Sequence, residues 1–147
     1  MREILFRGKR VDNGEWVKGF YVKASHHWNK RGIHEDWIVT SASQNGGWFT
    51  VNGRYAVIPE TVGQYTGLKD KNGEMIFEGD IVESKPYMHY EYGIVACRNH
   101  AFRIVEFDGG MLTCPEAEPL LNADKIVEVV GNVFDAPELL KGGDSDA

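Results

Sequence analysis

His26, His27, His34, Glu35 and Asp36 form the densest gathering of metal-ligating side chains in the sequence. Imidazole and carboxylate suit zinc or a non-haem metal, and a metal-dependent nuclease needs such a set. Their spacing argues against it. Adjacent His26 and His27 point to different sides of an extended backbone, and no His-x-Glu or His-x-x-x-His frame brings two ligands to one helical face. The cluster reads as part of a solvated loop from Ser25 to Asp36, and His89 and His100 as isolated surface histidines. Glu116 and Glu118 share a spacing, but Pro115 and Pro119 favour a loop in which both carboxylates are solvated. No serine lies in G-x-S-x-G, and Cys97 and Cys114 have neither a catalytic signature nor a C-x-x-C spacing, so both read as reduced thiols packed as small hydrophobes. There is no Walker A motif and no G-x-G-x-x-G opening a helix. The expectation is a non-enzymatic protein with no catalytic residue, cofactor or metal, a metal-dependent enzyme built on the histidine loop standing only as a distant alternative.

The aromatic residues make a different case. Trp16, Trp28, Trp37 and Trp48, with Tyr87, Tyr90 and Tyr92, exceed what a small core hides completely. Near them, Lys18, Lys30 and Arg31 raise the alternative of a single-strand groove, in which bases stack on rings. The charge balance opposes that reading: 16 Lys and Arg stand against 22 Asp and Glu, a net charge of −6. Phosphate binding depends on many cations, and no RNP-like pattern is present, so nucleic acid is not the expected partner. Surplus Trp surface fits a protein interface better, because Trp buries much area at little entropic cost. Trp16, Trp28, Trp37 and Trp48 are therefore the candidate anchors of a homo-oligomer.

The elements that position these residues are read from turn chemistry. Asn13-Gly14, Gly46-Gly47, Asn52-Gly53, Asn72-Gly73 and Gly109-Gly110 are hairpin candidates, since Gly accepts and Asn tolerates the positive φ of a type I′ turn. Between them, β-branched and aromatic residues mark strands at Trp16 to Val22, Trp37 to Thr40, Trp48 to Val51, Tyr55 to Ile58, Asp80 to Glu83, Gly93 to Arg98, Phe102 to Phe107 and Ile126 to Phe134. Helix is scarce, with one short candidate at Pro137 to Lys141 behind Asp135 and ended by Gly142-Gly143. Pro115 to Pro119 reads as a loop. No apolar run nears the roughly 18 residues of a membrane span, and the N-terminus lacks the apolar stretch of a signal peptide, so the expected location is the cytoplasm.

One segment is more informative than the rest. In Gln64 to Val82 a turn at Thr66-Gly67 precedes a charged tip at Asp70-Lys71-Asn72-Gly73, and Glu78-Gly79-Asp80 bends the chain into Ile81-Val82. Asp80 is placed to accept local backbone N–H bonds, and Gly79 permits close backbone approach. Leu68, Ile76, Ile81, Val82 and Val95 are core candidates. Together with the opening Arg2 to Arg7, the strand Gly93-Ile94-Val95 and the closing Glu128 to Leu140, this segment resembles the YopX family of phage and prophage proteins over nearly the whole chain. The eight strand candidates already point to a mostly β sandwich or barrel, and the resemblance implies an SH3-like barrel in the later part: the chain is read as an N-terminal β region over residues 1–61, that barrel with the short C-terminal helix over 62–141, and a small, acidic tail over 142–147 that is expected to fray. It also implies homo-oligomers inside a bacterial host that carries phage genes, and it brings no catalytic residues to carry over; beside self-association, a host or phage protein is a further candidate partner, and no membrane is expected. Gly67, Asp70, Gly73, Gly79, Asp80, Gly131 and Asn132 are its motif residues, and each is expected to serve the backbone.

Overall fold

The computed structural model describes residues 3–25, 34–83, 92–98, 101–108, 111–112, 118–119 and 127–140. The chain is mostly β and divides into two compact units, Met1–Tyr65 and Thr66–Ala147.

The first unit holds β1 (Phe6–Lys9), β2 (Trp16–Ser25), β3 (His34–Asn45), β4 (Trp48–Ala56) and the beginning of β5 (Gly63–Lys69). The strands are antiparallel in the order β4-β3-β2-β1-β5. Phe6 pairs with Gly19 and Lys9 with Trp16, while Phe20 pairs with Val39 and Val22 with Trp37. Because side chains alternate across a strand, this register sends Phe6, Gly8, Gly19, Tyr21, Ile38, Tyr55 and Val57 to one face. Ile38 and Val57 are buried there, and the Phe6 and Tyr21 rings lie 5.6 Å apart. Gly19 is required by this packing, since a Cβ would sit 2.2 Å from the Val39 carbonyl oxygen.

Gly46 and Gly47, at φ 59° and 90°, join β3 to β4 in a two-residue turn with both central residues at positive φ, as the sequence predicts. Asn52-Gly53 is different. It does not turn the chain but lies inside β4, where the register to β3 shifts between Val39 and Ala42. The reason is steric: a Cβ on Gly53 would come 2.3 Å from Thr40 Oγ1, so glycine allows the strands to stay paired through the bulge. Of the predicted loop, His34, Glu35 and Asp36 belong to β3, opposite Ser25, Ala24 and Lys23; residues 26–33 lie outside those described.

The second unit continues β5 and adds β6 (Met75–Phe77), β7 (Asp80–Glu83), β8 (Gly93–Arg98), β9 (Ala101–Asp108), β10 (Met111–Leu112), β11 (Glu118–Pro119) and β12 (Glu128–Asn132). β6 is the neighbour of β5, and the others form an antiparallel sheet in the order β10-β9-β8-β7-β12, with β11 on β9. Pro119 is thus in a short strand at a sheet position opposite Arg103 rather than in a loop. Ile76, Val82, Val95, Ile104 and Val127 make the core, with Phe102 and Val129 packed on it.

No closed barrel forms among the described residues, which corrects the expected SH3-like barrel. β6 and β7 do not pair as a hairpin: β6 lies beside β5 and β7 between β8 and β12, and at the bend between them the Asp80 carboxylate accepts the Phe77 N–H at 2.8 Å. The expected C-terminal helix is a single 3-10 turn over Pro137–Leu140, anchored by the Leu139 N–H on the Ala136 carbonyl. Leu68 is exposed rather than core: Gly67, at φ 86°, breaks the strand alternation just after buried Thr66, whose hydroxyl donates to the Ile76 carbonyl at 2.8 Å. Ile76, Ile81, Val82 and Val95 are buried.

Candidate interaction surface

The motif residues act on the backbone. Gly67, Gly73 and Gly79 have φ of 86°, 84° and 89°, a region that favours glycine. Asp70 is buried and its Oδ1 accepts the Asn72 and Glu74 N–H groups at 2.8 and 2.9 Å, while Asp80 is buried at the β6–β7 bend. Gly131 lies at the bulge between β12 and β7, and a Cβ there would be 3.2 Å from both Ala136 Cβ and Leu139 Cδ1. Asn132 Oδ1 accepts the N–H groups of Phe134 and Asp135 at 3.0 and 2.9 Å.

The histidine cluster does not come together among the described residues. His26 and His27 lie outside them, as do His89, His100, Cys114 and Glu116. Asp36 is buried and its Oδ2 accepts the Tyr21 hydroxyl at 2.7 Å. Burial first, and the Asp36 carboxylate second, push the Tyr21 phenol up to about 12. Among the described residues no three His, Cys, Asp or Glu side chains converge on a point that holds a metal. Cys97, expected to pack as a small hydrophobe, is exposed near the end of β8, although strand alternation puts it on the same face as buried Gly93 and Val95.

Three of the four tryptophans are described, and they occupy two surfaces of the first unit. Trp16 and Trp37 lie on the sheet face opposite Ile38. Arg7 and Lys9 stand over Trp16, at 4.6 and 5.5 Å from the ring centroid, and Arg54 stands 5.2 Å from that of Trp37. Phe20 and Val22 share this face and are 63% and 44% exposed. Trp48 is elsewhere, at the start of β4, and is 80% exposed beside Phe49 at 77%. Trp28 lies outside the described residues.

Beyond the bulge, β3 and β4 continue as a two-stranded arm. Every residue from Ser41 to Asn52 is exposed, and none carries a charge. Ala42 pairs with Val51, Gln44 with Phe49 and Asn45 with Trp48, so the ladder reaches the turn. An isolated two-stranded ribbon is marginal in water because it buries nothing. The arm also lacks the charges and prolines that usually guard an edge strand. Sequence reasoning selected Trp48 and missed Phe20, Phe49 and Arg54. The uncharged run Ser41 to Asn52 was the available signal for the arm.

Among the described residues, no helix is long and apolar enough to cross a membrane. No curated protein matches the sequence. Among solved structures, the crystal structure of protein EF1440 from Enterococcus faecalis is similar at a TM-score of 0.56 and 24% identity, over 95% of this chain and 99% of that one, a likeness of fold. The family described as YopX protein matches residues 5–141. That match takes in both compact units and almost all of the motif segments, and the chain belongs to the YopX family.

Proposed function

We propose that this chain works by self-association: it is a non-enzymatic assembly module, encoded by a phage or prophage and acting in the cytoplasm of the bacterial host, whose copies join through the β3–β4 arm. The observation that carries the reading is the arm's complete exposure together with its lack of charge. An uncharged ribbon with an open outer edge gains stability when a second strand pairs along β4 and covers part of Trp48, Phe49 and Val51. A second copy is the favoured occupant because the same edge, brought up by a two-fold axis, is complementary to itself. Whole copies repel, each at −6, and the arm adds no charge of its own to that repulsion. Trp48 and Phe49 from two copies, at about 150–250 Å² per aromatic side chain, supply a large share of the roughly 1,200–2,000 Å² of a standard interface. Light scattering coupled to size exclusion tests this. A multiple of 16.6 kDa at micromolar concentration is expected, and a monomer mass throughout that range refutes it.

A further inference from the structure

We infer that the sheet face bearing Trp16, Phe20 and Trp37 is a binding platform for single-stranded nucleic acid. This does not rest on self-association through the arm, which uses other residues.

The register assembles the platform. Arg7 is opposite Lys18 and Lys9 opposite Trp16, while Phe20, Val39 and Arg54 form one row and Val22, Trp37 and Ala56 the next. Alternation places all of these on one side of the sheet. The observed stacks of Arg7 and Lys9 on Trp16 and of Arg54 on Trp37 agree with that placement. Cations and rings therefore interleave across four strands: Lys18, Phe20 and Arg54 are exposed and open to a ligand, Lys9, Trp16 and Trp37 are half-buried, and buried Arg7 supports the Trp16 ring from within. Glu35, beside Ala24 near the end of β2, is the acid on this face among the described strand residues.

Charge supports the same ligand once it is divided between the units. Residues 1–65 carry nine Lys and Arg against six Asp and Glu, a net +3, whereas residues 66–147 carry seven against sixteen, a net −9. The overall −6 thus conceals a basic unit. A single strand offers phosphates to the cations and planar bases to the rings, and stacking is available to every base. A duplex keeps its bases stacked on one another and leaves Phe20 without a partner. An acidic protein surface meets the cations but sets carboxylates against Phe20 and Val22.

Fluorescence anisotropy with labelled oligothymidylate tests the platform. Micromolar affinity at low salt is expected, with log K falling by about 2 per decade of salt if three phosphates are neutralised. Phe20→Ala removes an exposed ring, leaves the circular dichroism unchanged, weakens binding about tenfold and keeps the salt slope, while Phe20→Tyr restores affinity. Arg54→Gln lowers the slope by about 0.7. Absence of binding at low salt overturns the inference. So does full affinity in Phe20→Ala, or equal displacement by polyglutamate, which assigns the face to an acidic protein instead.

Discussion

Asp70 Oδ2 accepts a 2.9 Å hydrogen bond from the backbone N–H of Val129, 59 residues further along the chain. Its other oxygen holds the hairpin tip through Asn72 and Glu74, and the Lys71 N–H donates to the Val127 carbonyl at 2.9 Å. One buried carboxylate thus joins the tip between β5 and β6 to the beginning of β12, and it does so with an acceptor that serves three N–H donors.

Asp70→Ala leaves those three donors without their acceptor. At about 1–3 kcal/mol for each unsatisfied group, with some recovered by water, the variant loses about 3 kcal/mol or more. Asp70→Asn keeps one oxygen and loses less. Urea unfolding reads both, and a loss below about 1 kcal/mol for the alanine variant contradicts the role given to this carboxylate.

Two glycines separate steric need from backbone need. Gly73 has φ 84° with nothing near its Cβ position, so Gly73→Ala costs about 1–2 kcal/mol of left-handed strain and no more. Gly19→Ala drives a Cβ to 2.2 Å from the Val39 carbonyl oxygen, which the backbone of β3 cannot yield without breaking the ladder. It is expected to prevent native folding of the first unit or to cost well over about 3 kcal/mol. Equal effects of the two substitutions on the thermal midpoint count against this account.

The Tyr21–Asp36 pair sets an alkaline limit. The folded phenol is raised from its ordinary 10.0 to about 12, chiefly by burial. The neutral form is the one the fold prefers, so the contribution is complete below pH 10 and is lost as pH rises from there through about 12. Tyr21→Phe removes the donor from a buried carboxylate, costs about 1.5–3 kcal/mol at neutral pH and flattens the decline in stability above pH 10. A decline above pH 10 identical to that of the native chain places the titration elsewhere.

The predominance of β structure, and the Gly46-Gly47 turn, are legible in the residues because local chemistry decides them. Positive φ at adjacent positions demands glycine, whatever surrounds it. Asn52-Gly53 has the same local chemistry and a different outcome, decided by the distance to Thr40 on the neighbouring strand. The Asp80 carboxylate on the Phe77 N–H was legible, being a bond across three residues, whereas the open sheet of the second unit was not, since its order rests on pairings between strands far apart in the chain, such as β12 with β7. Of the interface candidates, the sequence marks every Trp alike; cross-strand register puts Trp16 and Trp37 beneath cations and Trp48 on the arm. The charge division was present in the sequence, but it acquires meaning only once the boundary near Tyr65 is known.

The arm yields the sharpest separation of assembly from stability. Trp48 and Phe49 are 80% and 77% exposed, so a Trp48→Ser, Phe49→Ser double variant removes little from the folded monomer and leaves the thermal midpoint of a diluted sample unchanged. Interface aromatics that act as anchors cost about 2 kcal/mol or more each when truncated, which raises the dimer dissociation constant at least about thirtyfold. Thr50→Lys tests the open edge itself, because an inserted lysine opposes strand pairing while both aromatics stay in place. Trp16→Ala provides the contrast: it removes the ring beneath Arg7 and Lys9 and lowers monomer stability without changing subunit number. Sedimentation velocity at several micromolar concentrations distinguishes the cases. Dissociation by the arm variants alone is the expected result, and oligomers that survive both of them locate the interface away from β4.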